Sequence, residues 1–176
     1  MKRVALIVAG LAVLLPAAAR AQDEHPISIG LFPPAQIVPE GESIRGVRLS
    51  LIYGKNVDVS GLDLGLVNHT TRDFMGAQFG AVGISDGDVE GWQSNWVNVT
   101  RGQMQGLQDG VVSITETGRG MQFSGYNQAQ NFRGLQLGIV NYAGYLSGIQ
   151  VGIINIIRDN GKFPVFPIVN WGKEGD

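Results

Sequence analysis

Apolar and polar residues alternate along most of this chain in a motif that recurs every 14 or 15 residues. Each copy opens with a glycine, here called position 0. Apolar residues follow at positions 1, 3 and 5, and Gln or Asp and then Gly stand at positions 2 and 4. The clearest copies are residues 134–141 and 148–155. Copies open at Gly46, Gly61, Gly76, Gly91, Gly106, Gly120, Gly134 and Gly148, with a proline-bearing variant at Phe163. A fixed period over most of a chain predicts one structural unit repeated side by side.

The alternation within one copy predicts a β-strand, because side chains two residues apart lie on the same side of a strand. Two interior glycines per copy disfavour a helix at about 1 kcal/mol each. Position 6 is again apolar, and short polar groups rich in Asp, Asn and Gly separate the copies, as is typical of turns. Position 7 is Asn in six of the nine copies: Asn68, Asn98, Asn127, Asn141, Asn155 and Asn170. Each copy therefore predicts one strand of about 8 to 11 residues and a turn of about four.

Two all-β architectures fit this pattern, and an antiparallel meander that closes into a β-barrel is favoured. Asp-Gly and Asn-Gly reversals are typical of hairpins. Residues 26–32, before Pro33 and Pro34, supply one strand more than the nine copies, giving about nine or ten strands. In such a barrel the Leu and Ile side chains point outward and the Gly and Gln positions point inward.

The alternative is a parallel β-solenoid, in which each copy is one coil. Parallel stacking places like residues above like, so the recurrent Asn and Gln would form ladders, and the Leu/Ile face would line the interior. The two architectures differ at Gln136 and Gln150, which lie side by side in parallel register only in the solenoid.

The first 21 residues have the features of a signal peptide. Lys2 and Arg3 form a basic start, residues 4–16 are apolar, and residues 19–21 place alanines at the two positions that a signal peptidase reads. We expect cleavage before Gln22 and therefore export from a bacterial cell. The expected destination is the outer membrane or cell surface; the alternatives are the periplasm and the medium. Residues 22–45 are then an N-terminal strand and irregular segment, 46–171 the repeat domain, and 172–176 a short tail.

Charge and cysteine content narrow the function classes further. The chain has 13 Lys and Arg, of which Lys2, Arg3 and Arg20 fall in the signal peptide, so 10 remain against 15 Asp and Glu, a formal charge of −5 after cleavage. The charges are scattered without a basic patch, which disfavours nucleic acid as a partner. The chain has no cysteine, hence no disulfide framework and no thiol for lipidation.

No catalytic, cofactor-binding or metal-ligating residue is assigned from the sequence, and no cofactor is expected. His25 and His69 are the only histidines, and His69 is interpreted as an exposed turn residue. Asp86, Asp88 and Glu90 lie close together in one turn. They could ligate calcium, but the spacing of a known calcium loop is absent and an ordinary acidic turn is favoured.

Polar and aromatic departures from the repeat mark its middle copies. Asp109 occupies position 3, where the motif is apolar, and Ser94 occupies the same position between Trp92 and Trp96. An ionised carboxylate facing lipid or a dry core is costly, so this part of the sheet is expected to face water or to contain a bulge. The aromatic residues Trp92, Trp96, Tyr142 and Tyr145 fit either a membrane-interface girdle or ordinary packing.

The tandem Gly-aliphatic-Gln-aliphatic-Gly-aliphatic-aliphatic-Asn units behind a signal peptide resemble an uncharacterised family of bacterial surface repeat-containing proteins. The resemblance covers about residues 46–171, with residues 163–171 similar to a closing strand. It implies export and association with the surface or outer membrane, and it supplies no reaction. We therefore expect a non-enzymatic envelope scaffold or small barrel that contacts outer-membrane lipid or envelope proteins. The alternative is a soluble secreted or periplasmic binding module whose flat Gly/Gln/Asn face contacts a glycan, polymer or protein.

Overall fold

The computed structural model describes residues 24–172, and this part of the chain is all-β. The predicted signal peptide and most of the predicted tail lie outside the described residues. The strands are β1 (Glu24–Phe32), β2 (Ala35–Gln36), β3 (Ser43–Asn56), β4 (Val59–Thr70), β5 (Phe74–Ser85), β6 (Val89–Ile157) and β7 (Val165–Trp171). The 69-residue β6 contains five successive copies of the repeat, because the chain stays paired with its neighbours through the corners as well as the straight segments. Among the described residues no helix is long and apolar enough to cross a membrane.

Successive copies stack in parallel, so the protein is a β-solenoid and the favoured antiparallel meander or barrel is wrong. β3 pairs with β4, β4 with β5, and β5 with β6, all parallel, with the opening glycines in register. Gln136 and Gln150, which distinguish the two architectures, also show a solenoid, because Gln150 Nε2 donates to Gln136 Oε1 at 2.8 Å. Asp86-Gly87 forms a corner between two parallel coils, whereas Asn160-Gly161 lies in the connection between β6 and β7, the pair of strands that is antiparallel.

The interior is polar where the solenoid alternative predicted Leu and Ile. The glutamines at position 2 are fully buried, as are most residues at position 7, whereas Ile153 at position 5 is 68% exposed. The apolar core is a column of side chains two residues before most of the opening glycines, and apolar residues at position 9 join it in the last three coils of β6. Members of this core include Ile44, Val59, Phe74, Val89, Met104, Phe132, Leu146, Ala129, Ala143 and Ile157.

Position 2 forms a continuous ladder of hydrogen-bonded glutamines along the solenoid. Each amide donates from Nε2 to Oε1 of the residue one coil earlier, over 2.7–3.1 Å, from Gln150 back to Gln78. Gln78 donates to Asp63 at 2.9 Å, and Asp63 is paired with Arg48 in the coil before it. Stacked coils repeat every ~4.8 Å, close to the spacing at which identical amide side chains bond to one another. This match explains how the buried glutamines from Gln78 to Gln136 keep hydrogen bonds to the coils on both sides.

Asparagines at position 7 form a second ladder inside the solenoid, from Asn127 through Asn141 to Asn155. Asn141 Nδ2 donates to the Val151 carbonyl at 2.9 Å and to Asn155 Oδ1 at 2.8 Å. Asn155 in turn donates to the Gly152 carbonyl of its own coil at 2.9 Å. Glycine at position 4 leaves room for these amides, since a Cβ on Gly152 would lie 2.5 Å from Asn141 Nδ2.

Short strands cover both ends of the solenoid. β1 pairs in parallel with β3 and confirms the strand expected before the prolines, while β2 pairs antiparallel with the end of β1. At the other end β7 pairs antiparallel with the last coil of β6. The reversal of direction at β7 ends the parallel stack, as expected for a closing strand.

Candidate functional site

The outer surface is divided by chemistry into an apolar surface and a polar edge. We define the apolar surface as the outward residues at positions 1, 3, 5 and 6, and the polar edge as those from position 10 to the residue before the next glycine. Large apolar side chains that are exposed on the apolar surface include Leu49, Leu51, Ile52, Leu62, Leu66, Trp92, Trp96, Val111, Phe123, Ile139, Ile149, Ile153 and Ile154. Most charged side chains lie on the polar edge. The Gly/Gln/Asn face that the sequence offered as a contact surface is inside the solenoid and unavailable to a partner.

One polar cluster interrupts the apolar surface. Asp109, at position 3, accepts hydrogen bonds from Ser94 Oγ at 2.8 Å and from the indole Nε1 of Trp92. The Trp92 ring also packs edge-on against Phe79, with ring centroids 4.9 Å apart. The indole is therefore held on two sides, while 41% of Trp92 is still exposed.

Two further aromatic side chains border this cluster on the apolar surface. Trp96 lies four residues after Trp92 in the same coil and is 70% exposed; Phe123 follows Asp109 at position 3 of the next coil and is 59% exposed. Phe79 and Phe123 are three coils apart, or ~14 Å at ~4.8 Å per coil. We call Phe79, Trp92, Ser94, Trp96, Asp109 and Phe123 the aromatic patch.

An apolar groove lies beside the patch toward the N-terminal end. It has a volume of about 930 Å³ and includes Leu51, Leu66 and Ala81 at position 5, with Trp96 at its far end. Glycines at position 4 of two coils, Gly65 and Gly80, also line it. Trp96 therefore belongs to both the groove and the patch.

His69 lies in a chain of hydrogen bonds that joins four coils. Tyr53 Oη is 2.9 Å from His69 Nδ1, and His69 Nε2 is 2.9 Å from Asp86 Oδ2, with Arg101 on the other carboxylate oxygen. Burial raises the pKa of Tyr53, so the phenol stays protonated. Burial also acts to raise the pKa of Asp86, but His69 and Arg101 outweigh it and the pKa lies below its usual value. Both ring nitrogens of His69 are thus occupied by structural partners, and the half-buried histidine is not the exposed turn residue expected.

The acidic turn uses its carboxylates to tie adjacent coils together. Asp88 Oδ1 accepts a hydrogen bond from the backbone N–H of Gln103 at 2.8 Å, and Asp73 accepts one from the N–H of Asp88 at 2.9 Å. Asp86 is held by His69 and Arg101. Within residues 24–172 no group of three His, Cys, Asp or Glu side chains is placed to hold a metal ion. The Asp86 and Asp88 carboxylates therefore serve contacts between coils.

The remaining sequence candidates are dispersed. His25 Nε2 lies 2.6 Å from Glu42 Oε2 near the N-terminal end of the solenoid. Tyr142 stands at position 8 of its coil, whereas Tyr145 belongs to the polar edge. Trp92 and Trp96 are on the apolar surface, so the four aromatic residues do not form one girdle.

The comparisons with known proteins leave the function to be argued from this geometry. No protein-family model matches the chain, and neither the curated proteins nor the solved structures contain a significant match. In the sequence, Ser94 and Asp109 stood out as polar residues at an apolar position. The convergence of Ser94 and Trp92 on Asp109 depends on coils stacking in parallel, which a barrel would not provide.

Proposed function

We propose that this chain is a non-enzymatic, exported binding module that contacts an extended partner in the bacterial envelope or outside the cell through its apolar surface. One observation carries the proposal. The large apolar side chains that would form the core of most domains are exposed here in ordered rows, while hydrogen-bonded amides fill the core. Exposed apolar area of this extent is typical of interaction sites.

The architecture supports binding rather than catalysis. A solenoid presents the same residue types at regular intervals along its length, which suits an elongated or repetitive partner. The polar clusters on its outside are occupied by structural contacts: His69 by Tyr53 and Asp86, and Asp88 by the backbone of the next coil.

The test is co-sedimentation of the mature protein, residues 22–176, with isolated bacterial envelopes. A variant with Leu62→Thr, Leu66→Thr, Ile139→Thr and Ile153→Thr removes four exposed rungs of the apolar surface while keeping residues favourable to strands. The matched control carries Arg119→Thr and Arg133→Thr on the polar edge. We expect the wild type and the control to sediment and the apolar-surface variant to remain mostly in solution. A wild type that stays in the supernatant, or an apolar-surface variant that binds equally well, would overturn the proposal.

A second candidate function is an envelope scaffold associated with the surface of the outer membrane. The exposed apolar residues near the N-terminal end favour it, among them Ile37 at 70% and Leu51 at 74% exposure. Flotation with phospholipid vesicles tests this candidate: binding that Leu51→Thr and Leu66→Thr abolish would support it, and no flotation of the wild type would exclude it.

A further inference from the structure

We propose that the aromatic patch is a carbohydrate-binding site that takes a neutral oligosaccharide or a segment of a neutral polysaccharide. This inference rests on the proposed function and names the class of partner.

The polar cluster is not required by the fold. Position 3 is Leu64 or Leu137 in other coils, where Ser94 and Asp109 stand in these two. The coils with leucine stack in the same way. An indole N–H at the surface could donate to water, so Trp92 needs no carboxylate. The Asp109 side chain instead holds the ring in one orientation and keeps acceptor capacity, since a carboxylate has about four lone-pair sites and two are used here.

The patch combines the two chemistries that a sugar ring needs. A pyranose has an apolar face of C–H groups, which packs on an aromatic ring, and hydroxyl groups at its rim, which donate to a carboxylate. Trp92 and Trp96 supply exposed indole rings, and Asp109 lies beside Trp92 as the acceptor. Because the indole is already held by Phe79 and Asp109, little side-chain freedom remains to be lost when a ligand binds.

Other partners fit the same residues less well. A lipid chain or an apolar protein surface would cover Asp109 without adding a donor to those of Ser94 and Trp92, and burying a charged carboxylate that has no cationic partner is costly. Nucleic acid and strongly anionic glycans would be repelled by this carboxylate on a chain whose formal charge is already negative. A neutral glycan satisfies the carboxylate and covers the rings.

The dimensions favour more than one sugar unit. The row at position 3 runs from Phe79 through Ser94 and Asp109 to Phe123, ~14 Å along the solenoid axis. This row is longer than a single pyranose ring, and it is open at both ends because it lies on the outside of the coils. A polysaccharide chain can therefore lie along the axis without its ends entering the site.

The test uses affinity electrophoresis of the mature protein through gels containing one of four neutral polysaccharides: a β-1,3-glucan, hydroxyethyl-cellulose, glucomannan or galactomannan. Variants follow the repeat's own residues, so that folding is preserved: Trp92→Leu, as at Leu62 and Leu135, and Asp109→Leu, as at Leu64 and Leu137. The matched control is Trp171→Phe, since Trp171 has nearly the same exposure (43%) but lies on the closing strand. Circular dichroism and unfolding curves confirm that each variant is folded.

We expect at least one polysaccharide to retard the wild type and Trp171→Phe, and retardation to weaken about tenfold or more in Trp92→Leu and Asp109→Leu, as for central residues of a binding site. The chain has three tryptophans, so the fluorescence of Trp171→Phe comes from Trp92 and Trp96 alone and should change with the retarding polysaccharide.

The inference would be overturned by no retardation by any of the four polysaccharides, or by equal retardation of wild type, Trp92→Leu and Asp109→Leu. Envelope binding that depends on the apolar rows but not on Trp92 or Asp109 would retain the proposed function and reject the glycan site. Flotation with phosphatidylethanolamine–phosphatidylglycerol vesicles, without retardation by polysaccharide, would identify lipid as the partner instead. If the wild-type protein does not bind envelopes at all, the proposed function as an envelope-binding module is rejected.

Discussion

Arg48 and Asp63 form a bidentate ion pair inside the solenoid, with Nε–Oδ1 and Nη2–Oδ2 both at 2.7 Å. Both side chains are at position 2 of adjacent coils and have almost no exposure to solvent. Asp63 also accepts the amide of Gln78, so the pair is the start of the glutamine ladder. The N-terminal end of the ladder is therefore a compensated charge pair. The other end is Gln150 Oε1, which has no hydrogen-bond partner.

Removing one partner of this pair should destabilise the fold strongly. Asp63→Ala leaves a buried guanidinium without its carboxylate, a change that costs about 3–5 kcal/mol in buried pairs. The double variant Arg48→Gln with Asp63→Gln should restore most of that loss, because the two introduced amides would extend the ladder by two rungs. Urea unfolding of the three proteins measures this. A double variant no more stable than Asp63→Ala would show that the ladder cannot extend to these coils.

A single interior glutamine should contribute more to the free energy of unfolding than the burial of its side-chain volume alone would give. Gln122→Leu keeps a similar volume but removes the acceptor of Gln136 and the donor to Gln108, which are 2.7 and 3.0 Å away. At about 1–3 kcal/mol for each buried group that loses its partner, we expect a loss of about 2–4 kcal/mol in the free energy of unfolding. Gln105→Leu, on the exposed polar edge, is the control and should change stability by about 0.5 kcal/mol or less. Equal effects of the two substitutions would contradict a hydrogen-bonded ladder.

The repeat in the sequence predicted the coil of 14 or 15 residues that stacks on its neighbours. It did not predict which face of the strand, the Leu/Ile face or the Gly/Gln face, is buried. The period and the recurrent Asn and Gln identified the rungs of the ladders correctly. The expectation that Leu and Ile line a solenoid followed from the hydrophobic effect, and it was wrong because parallel coils let the amides satisfy one another. Gln122 and Gln136 each donate to the coil before and accept from the coil after, so burial costs their amides little hydrogen bonding. Amphipathic alternation alone does not carry this information.

In the middle copies, which depart from the repeat, a substitution in one coil is compensated by a substitution in the next coil. A single copy of the repeat does not show this. Gly83 replaces the position-7 asparagine, and Asn95 from position 4 of the next coil fills the space, donating to Gln78 Oε1 at 3.1 Å and to Asn98 Oδ1 at 2.8 Å. A Cβ on Gly83 would lie 2.4 Å from Asn95 Nδ2. The irregular residues of one coil are therefore explained by those of the next, and the same applies to Asp109 with Trp92.

The opening glycine of each coil should tolerate no side chain. Gly91 has φ of +133°, and a Cβ there would lie 2.0 Å from the Gly76 carbonyl oxygen. Gly91→Ala combines backbone strain of about 1–3 kcal/mol with displacement of the coil before it, so we expect it to lose more than about 2 kcal/mol. Gly41→Ala is the control, because a Cβ at Gly41 meets no atom within 4 Å. Guanidinium unfolding compares the two; a Gly91→Ala protein as stable as Gly41→Ala would rule out this close approach of the coils.

The Asp58 carboxylate on the polar edge should make stability depend on pH in the acid range. Burial acts to raise the pKa of Asp58, but hydrogen bonds from Arg72, the Asp73 N–H and Ser43 outweigh it, so its pKa in the folded protein lies below the usual value. A lowered folded pKa means that the stabilisation is complete above the unfolded pKa of about 3.9 and is lost as the pH falls through the folded pKa.

We therefore expect Asp58→Asn to be less stable than wild type at pH 7 by about 1 kcal/mol or less, because the pair is partly exposed. The gap should stay constant down to about pH 5 and then narrow below about pH 4, since the protonated Asp58 carboxyl and the amide that replaces it in the variant are both neutral. Urea unfolding at pH 7, 5, 4 and 3 measures the gap, and Glu116→Gln, an exposed carboxylate of another turn on the same edge, corrects for the loss of one negative charge. A gap that widens as the pH falls would mean that Asp58 is destabilised in the folded protein and that its contacts do not hold the carboxylate in its charged form.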